Sequence, residues 1–267
     1  MDNSKKDKLK KVKQFGYYSK GLVYGLIGLL AAMVASGLGG EIKGKLGIAQ
    51  FLYDLPGGIF LTSIVALGLV AHGVWRFYES AVDPNGEGDK TRIGPRIQFA
   101  YSGIFYTVIG FSFAQPLFNN VGSSEGSSQK AALSMLLEKD WGIWVVWGIA
   151  LGMAGNALWQ FYLGISAKFM VLIDKNPDNT KEYKLVKRSG RYGYIARGVV
   201  FGVISFFLVK VCIAHNASEL RDTEGAFQYL LSLPYGSILM GAVALGMMGF
   251  GIFSFMVARH ASRKEID

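Results

Sequence analysis

The sequence predicts an all-α integral membrane protein with six transmembrane helices, arranged as three two-helix units. Three observations support this fold class. Long apolar runs alternate with short clusters of charged residues, one residue pattern occurs three times along the chain, and only 18% of the residues are charged. A pattern repeated at this length is typical of chains built from equivalent structural units.

The six apolar runs are residues 21–36, 58–74, 103–114, 143–158, 198–209 and 237–257. With the small and aromatic residues beside it, each run reaches roughly 18–22 residues, which is the length that an α-helix needs to cross a bilayer. All six runs are therefore predicted to be transmembrane helices.

Two short patterns define the repeat. Ala-Leu-Gly occurs in the second helix of each unit, and a glycine followed three residues later by an aromatic residue occurs in the first. The glycines of the two patterns are Gly68, Gly152 and Gly246, and Gly21, Gly103 and Gly198. We assign the units to residues 15–80, 97–164 and 192–258 of a single membrane domain that spans residues 1–267.

Within each unit, the first helix is followed by a polar hairpin loop, a short amphipathic segment and the second helix. The amphipathic segments are residues 47–55, 131–139 and 225–233. They have apolar residues at helical spacing but are too short to cross the bilayer, so we expect each to form a helix in the membrane interface. Pro56 and Pro234 are expected in the first turn of the returning helix, where a missing N–H is tolerated.

The order of the helices and the distribution of charge predict the topology. Because each unit crosses the membrane an even number of times, the units insert in the same direction as parallel repeats, and the simplest arrangement is a bundle with pseudo-threefold symmetry. Of the 28 Lys and Arg residues, 22 lie in the terminal segments and the loops that join the units. The positive-inside rule therefore places both termini in the cytoplasm.

Two motifs resemble a known family. The segment Gly-Tyr-Tyr-Ser-Lys-Gly-Leu-Val-Tyr, which begins at Gly16, is echoed by the segment that begins at Gly193. The second motif is His-Gly-x-Trp-Arg, from His72 to Arg76. Together they resemble a bacterial membrane family, domain of unknown function 1206, over nearly the whole chain. The resemblance implies six crossings in three units and a multi-pass protein of the bacterial inner membrane, and it implies no activity.

The second unit departs from the first motif at two positions. Gln98 replaces the leading glycine, and Ser102 stands where the other units have Lys20 and Arg197. A role that needs three equivalent cations is therefore not expected.

The units also differ at two polar positions of their second helices. Four residues after the shared glycine the units have His72, Asn156 and Phe250, and eight residues after it they have Arg76, Gln160 and Ser254. Positions four apart share one helix face, and Lys20 and Arg197 are expected to begin the first and fifth helices at a similar depth. We predict a cytoplasmic-side vestibule for an anion, a phosphate or a lipid headgroup, lined by His72, Arg76, Asn156, Gln160, Lys20 and Arg197.

These residues also have structural explanations. Long basic side chains near helix ends extend to the lipid headgroups, which favours a role in topology for Lys20, Arg76 and Arg197. His72 lies deeper, and a hydrogen bond to another helix, for example to Asn156 or Tyr24, is favoured over a proton relay.

No catalytic, metal or cofactor motif is visible. The three histidines are far apart in sequence and the only cysteine is Cys212, so the chain lacks a set of metal ligands with recognisable spacing. Motifs for phosphate loops, zinc peptidases and serine nucleophiles are absent. We expect neither an enzyme nor a bound cofactor, and the basic residues near the membrane ends do not indicate binding of nucleic acid.

The favoured interpretation is a non-enzymatic structural or interaction component of the inner membrane. Its expected partners are the phospholipid bilayer and anionic lipid headgroups, with a partner membrane protein or a homo-oligomer left open. The alternative is a small channel or transporter with a pathway along the pseudo-threefold axis.

Overall fold

A computed structural model describes residues 3–82, 93–118, 125–172 and 180–260. In these ranges all regular structure is helical. The helices are α1 (Asn3–Ala35), α2 (Lys45–Tyr53), α3 (Gly58–Val82), α4 (Ile93–Phe113), α5 (Gln115–Phe118), α6 (Glu125–Leu137), α7 (Gly142–Ser166), α8 (Thr180–Ala214), α9 (Thr223–Ser232) and α10 (Gly236–Arg259), with 3₁₀ turns at Lys168–Leu172 and Ala217–Glu219.

Six of the described helices are long and apolar enough to cross a membrane, which confirms the predicted number of spans. They are α1, α3, α4 with α5, α7, α8 and α10, two in each unit. The shorter helices α2, α6 and α9 lie between the two spans of a unit.

Helices α1 and α8 begin earlier than the apolar runs predict. They begin at Asn3 and Thr180, although the apolar runs begin at residues 21 and 198. The preceding residues contain no proline and several good helix formers, so nothing in them stops the helix. Lys20 and Arg197 therefore lie inside continuous helices, and the expectation that they begin them is wrong.

The second span of each unit packs against the first span of another unit: α3 against α4, α7 against α8, and α10 against α1. A glycine and a phenylalanine at equivalent positions meet in each of these interfaces. The pairs are Gly21 with Phe255, Gly103 with Phe77, and Gly198 with Phe161. A Cβ on Gly103 or Gly198 would lie 3.0 Å from the facing ring. Small residues at these positions let the helices approach closely, which is how helices associate in lipid.

Within the first and third units, the two spans also touch each other. A Cβ on Gly16 of α1 would lie 2.7 Å from the Cα of His72 on α3, and a Cβ on Gly193 of α8 would lie 2.7 Å from the Cα of Phe250 on α10. Only glycine permits this approach.

The short helices α2 and α9 are partly buried against the spans. In α2, Ile48 and Ala49 are fully buried, and in α9 so are Ala226 and Phe227. Asp222 caps α9, because its side chain accepts a hydrogen bond of 2.9 Å from the backbone N–H of Gly225. Each of these two helices therefore has an apolar face packed on the bundle.

Aromatic side chains fill the space between the spans. The ring of Phe250 packs at 5.0 Å from that of Tyr24 and at 5.3 Å from that of Tyr194. The hydroxyl groups of Tyr24 and Tyr106 are 3.4 Å apart. Offset and edge-to-face arrangements of this kind are those that aromatic side chains prefer in protein interiors.

Candidate functional site

The two spans of the second unit, α4 and α7, are not packed along each other as those of the other units are. The space between them contains two cavities. One has a volume of about 460 Å³ and lies toward the hairpin loops, and the other has a volume of about 530 Å³ and lies toward the segment at Lys168. We name the first the apolar cavity and the second the polar cavity.

The polar cavity brings together five of the six residues predicted for the vestibule. These are Lys20, Arg76, Asn156, Gln160 and Arg197. They come from four helices, α1, α3, α7 and α8, so the arrangement depends on the packing of all three units. Tyr101, Ser102 and Trp159 also line the cavity.

His72 does not line the cavity. It is fully buried, with its ring held edge-to-face between Tyr17 at 4.7 Å and Tyr106 at 4.5 Å. Within the described ranges neither ring nitrogen has a hydrogen-bond partner, so the expected hydrogen bond to Asn156 or Tyr24 is not formed. Tyr106 itself lines the polar cavity, and its ring separates the histidine from it.

Lys20 and Arg197 project from α1 and α8 into the aromatic centre and are 4% and 6% exposed. The Lys20 Nζ lies 4.9 Å from the ring centroid of Tyr106, and the Arg197 guanidinium lies 4.3 Å from that of Phe250. Both geometries are cation–π contacts, which hold a positive group without neutralising it.

Arg76 is held differently, because it has a carboxylate partner. Its Nη1 donates to Glu79 Oε2 at 2.7 Å and its Nη2 donates to the Tyr17 hydroxyl at 3.1 Å. Glu79 is 1% exposed and follows Arg76 by one helical turn. The pair fixes the guanidinium at the wall of the cavity.

The buried charges of the described residues are strongly unbalanced. The cations are Lys13, Lys20, Lys45, Arg76 and Arg197, and the carboxylate is Glu79. Among the salt bridges of the part of the chain that the structure describes, Glu79 pairs with Arg76 and none involves Lys20 or Arg197. The polar cavity is therefore electropositive.

Two amides of α7 form one wall of the polar cavity. Gln160 donates from Nε2 to the Asn156 Oδ1 at 3.2 Å, within one helical turn of α7. The Gln160 Oε1 is buried, and no atom in the described part of the chain forms a hydrogen bond with it. An occupant with both donor and acceptor atoms could hydrogen-bond this wall while its negative charge faced the cations.

The apolar cavity continues the cleft toward the hairpin loops. Its lining is mainly aliphatic and includes Val108, Ile149 and Ile204. Phe105 and Phe201 line both cavities, so the two meet at these rings. Lys45, which donates to the Thr223 hydroxyl at 3.3 Å, stands at its edge.

Sequence reasoning missed three residues of this region. Glu79 could have been found as the only acidic residue near the end of the second run, one turn after Arg76. The inward placement of Lys45 gives no signal in the sequence, because it depends on how α2 packs. Tyr101 was not predicted to be part of the site, although the first and third units have the small residues Ser19 and Ala196 at the same position of the repeat.

These features define a multi-pass membrane protein built from three tandem helical units. The chain belongs to the family described as Domain of Unknown Function (DUF1206), whose model matches residues 15–83, 97–167 and 192–261. The three matches confirm the resemblance and the threefold repeat. The chain is also similar to the uncharacterized protein YxxB of Bacillus subtilis (strain 168), with 29% identity over 249 residues that cover 93% of this chain and 90% of that protein. No solved structure matches the chain.

Proposed function

We propose that this protein is a non-enzymatic component of the bacterial inner membrane that binds the headgroup of an anionic lipid in the polar cavity. Both termini lie in the cytoplasm, the three units are related by a pseudo-threefold axis along the membrane normal, and the short helices lie near the outer interface. One observation carries the proposal: Lys20 and Arg197 are buried beside a cavity that opens between two spans, and no carboxylate of the described residues pairs with them.

The energetic argument starts from the cost of an unpaired charge. Burying a cation away from water costs several kcal/mol even after the protein relaxes, and cation–π contacts return only about 0.5–2 kcal/mol each. An anion between Lys20 and Arg197 would offset the remainder through charge-assisted hydrogen bonds. Ionisable groups at this depth in a membrane commonly mark a ligand or ion site.

The shape of the cleft favours a lipid over a soluble anion. The space opens sideways between α4 and α7, where a lipid can approach from the bilayer. The positive-inside rule places the polar cavity in the cytoplasmic half, where anionic lipids attract basic groups. Hydrogen-bonding groups on Asn156 and Gln160 suit a polar headgroup.

A conduction pathway along the axis has less support. The rings of Tyr24, Tyr106 and Phe250 occupy the centre of the bundle, and His72 is packed between aromatic rings. Opening such a pathway would require several of these contacts to break together.

The test measures lipid retention. The protein is reconstituted in nanodiscs with equal amounts of phosphatidylglycerol and phosphatidylcholine, released, and analysed by native mass spectrometry. We expect phosphatidylglycerol to be retained preferentially, and Lys20→Met and Arg197→Met each to reduce this preference about tenfold, or 1.4 kcal/mol. Apolar replacements are chosen because they seldom unfold a protein when they remove an unpaired buried charge.

The control is Lys187→Met, which removes an exposed cation from the same helix as Arg197. It should bind lipid like the wild type. Equal retention of both lipids by the wild type would refute the proposal, because the protein would then not select an anionic headgroup. An equal loss in the control and in the cavity variants would also refute it, because only the general surface charge would then matter.

A further inference from the structure

The second unit is open because a glycine is missing from its first span. In the other units Gly16 and Gly193 allow close contact between the spans, with 2.7 Å between a hypothetical Cβ and the facing Cα. Gln98 holds this position in α4, and Asn156 holds the facing position in α7. Both side chains line the polar cavity. A glutamine cannot occupy the space that only glycine fits, so the spans of this unit must stand further apart.

One helical turn later a second substitution has the same effect. In the third unit, a Cβ on Gly246 would lie 2.5 Å from the Cβ of Ala196, whereas a Cβ on the equivalent Gly152 would have no packing neighbour within 4 Å among the described residues. The position of Ala196 is held in α4 by Tyr101. The Tyr101 hydroxyl donates to the Met153 Sδ at 3.5 Å, so the tyrosine bridges the opening between the two helices. A lateral opening is therefore built into the sequence of this unit.

The opening leads to a cleft with two chemically different ends. The cations Lys20 and Arg197 stand at one end. The lining of the other end is mainly aliphatic, with a polar rim at Lys45, Arg221, Asp222 and Thr223. The ring centroids of Phe105 and Phe201 are 6.3 Å apart where the two cavities meet. A cation-lined end joined to an aliphatic end matches an amphiphile with a single negative headgroup.

We propose that the apolar cavity holds one acyl chain of an anionic bilayer phospholipid, which enters sideways between α4 and α7 past Gln98 and Tyr101. This inference rests on the proposed function, because it places the phosphate of the same lipid at Lys20 and Arg197. This acyl chain runs from the polar cavity past Phe105 and Phe201. The second acyl chain of the lipid remains in the bilayer.

The energy of this interaction comes from packing. An acyl chain that moves from the bilayer into the protein gains no hydrophobic free energy, because both surroundings are apolar. It fills a cavity of about 460 Å³ whose lining would otherwise lack van der Waals partners. Blocking the cavity should therefore act sterically, and it should affect long-chain lipids without affecting an anion that has no chain.

The experiment compares two tryptophan substitutions on α7. Ile149 lines the apolar cavity, and Leu151 is exposed on the same helix and lines neither cavity. Ile149→Trp should lower the retention of long-chain phosphatidylglycerol at least about tenfold, and Leu151→Trp should leave it unchanged. Inorganic phosphate, tested as a competitor, should displace little lipid from the wild type. Ser112→Phe fills the cavity from the α4 side and replaces Ile149→Trp if that variant does not fold.

The outcomes separate the two proposals. Both cavity-filling variants could retain lipid like the wild type while Lys20→Met loses it. This result would leave headgroup binding in place and overturn the placement of the acyl chain in the apolar cavity. Efficient displacement by inorganic phosphate would also overturn it, because the site would then recognise a free anion. Undiminished retention in Lys20→Met and Arg197→Met would remove the proposed function itself.

Discussion

The buried pair of Arg76 and Glu79 provides the sharpest test of the electrostatics of this bundle. The Glu79→Gln substitution removes the negative charge while keeping the size and shape of the side chain. The amide oxygen can still accept the hydrogen bond from Arg76, now between a cation and a neutral group. The change therefore isolates the charge of the carboxylate.

The geometry gives the expected size of the effect. The two side chains approach to 2.7 Å and are 10% and 1% exposed. At an effective dielectric constant of about 20, two unit charges at this separation attract by roughly 6 kcal/mol, and measured losses from breaking buried pairs are about 3–5 kcal/mol. Because Glu79 is the only buried carboxylate among the described residues, no neighbouring acid can compensate. We expect the free energy of unfolding to fall by about 3–5 kcal/mol.

The assay is thermal unfolding in detergent, followed by intrinsic tryptophan fluorescence. For chains of this size, 1 kcal/mol corresponds to about 2–4 °C in Tm, so the loss should be on the order of 10 °C. The matched control is the double variant Arg76→Met, Glu79→Met, which removes both charges and should recover most of the stability. The same Tm for Glu79→Gln and wild type would refute the reasoning, and so would a double variant less stable than Glu79→Gln.

Three further predictions follow from the packing. Gly193→Ala should lower the free energy of unfolding by about 1–3 kcal/mol in the thermal assay, because the new Cβ would lie 2.7 Å from a Cα of α10. Gly202→Ala is the control and should be neutral or stabilising, because its Cβ would have no packing neighbour within 4 Å among the described residues. His72→Phe should cost less than about 1.5 kcal/mol and leave lipid retention unchanged, because the ring packs between two aromatic rings and its nitrogens have no hydrogen-bond partner among the described residues. Ser102→Arg should reduce phosphatidylglycerol retention in nanodiscs although it adds a positive charge, because the larger side chain fills the polar cavity. Increased retention would contradict the assignment of the polar cavity as the headgroup site.

The spans and units were predictable because they depend on local patterns. Apolar length fixes the number of spans, and the repeated glycines mark the three units, both of which the structure and the family confirm. The beginning of a helix is less predictable. The residues before Gly21 and Gly198 are polar, and only their helix propensity shows that α1 and α8 continue through them. The expectation that Lys20 and Arg197 begin their helices was wrong for this reason.

Neither the separation of α4 from α7 nor the position of Lys45 could be predicted from one unit alone. Both depend on contacts between segments that are distant in sequence. The departure of Gln98 from the motif was visible in the sequence, but its meaning required the knowledge that the equivalent Gly16 touches the backbone of another helix. Comparison of the units reveals its meaning, because the spans of the first and third units are in close contact at this position and those of the second unit are apart.

The middle unit explains how three repeated units could form one site of the kind proposed. Lys20 and Arg197 occupy the same position in two units, and a third cation there would increase repulsion and fill the polar cavity. Ser102 at this position leaves the space free and lines it. Gln98 and Tyr101, on the same helix, keep the unit open. One unit therefore provides the space and the lateral opening, whereas the other two provide the charges, and the site depends on the differences between the units rather than on their likeness.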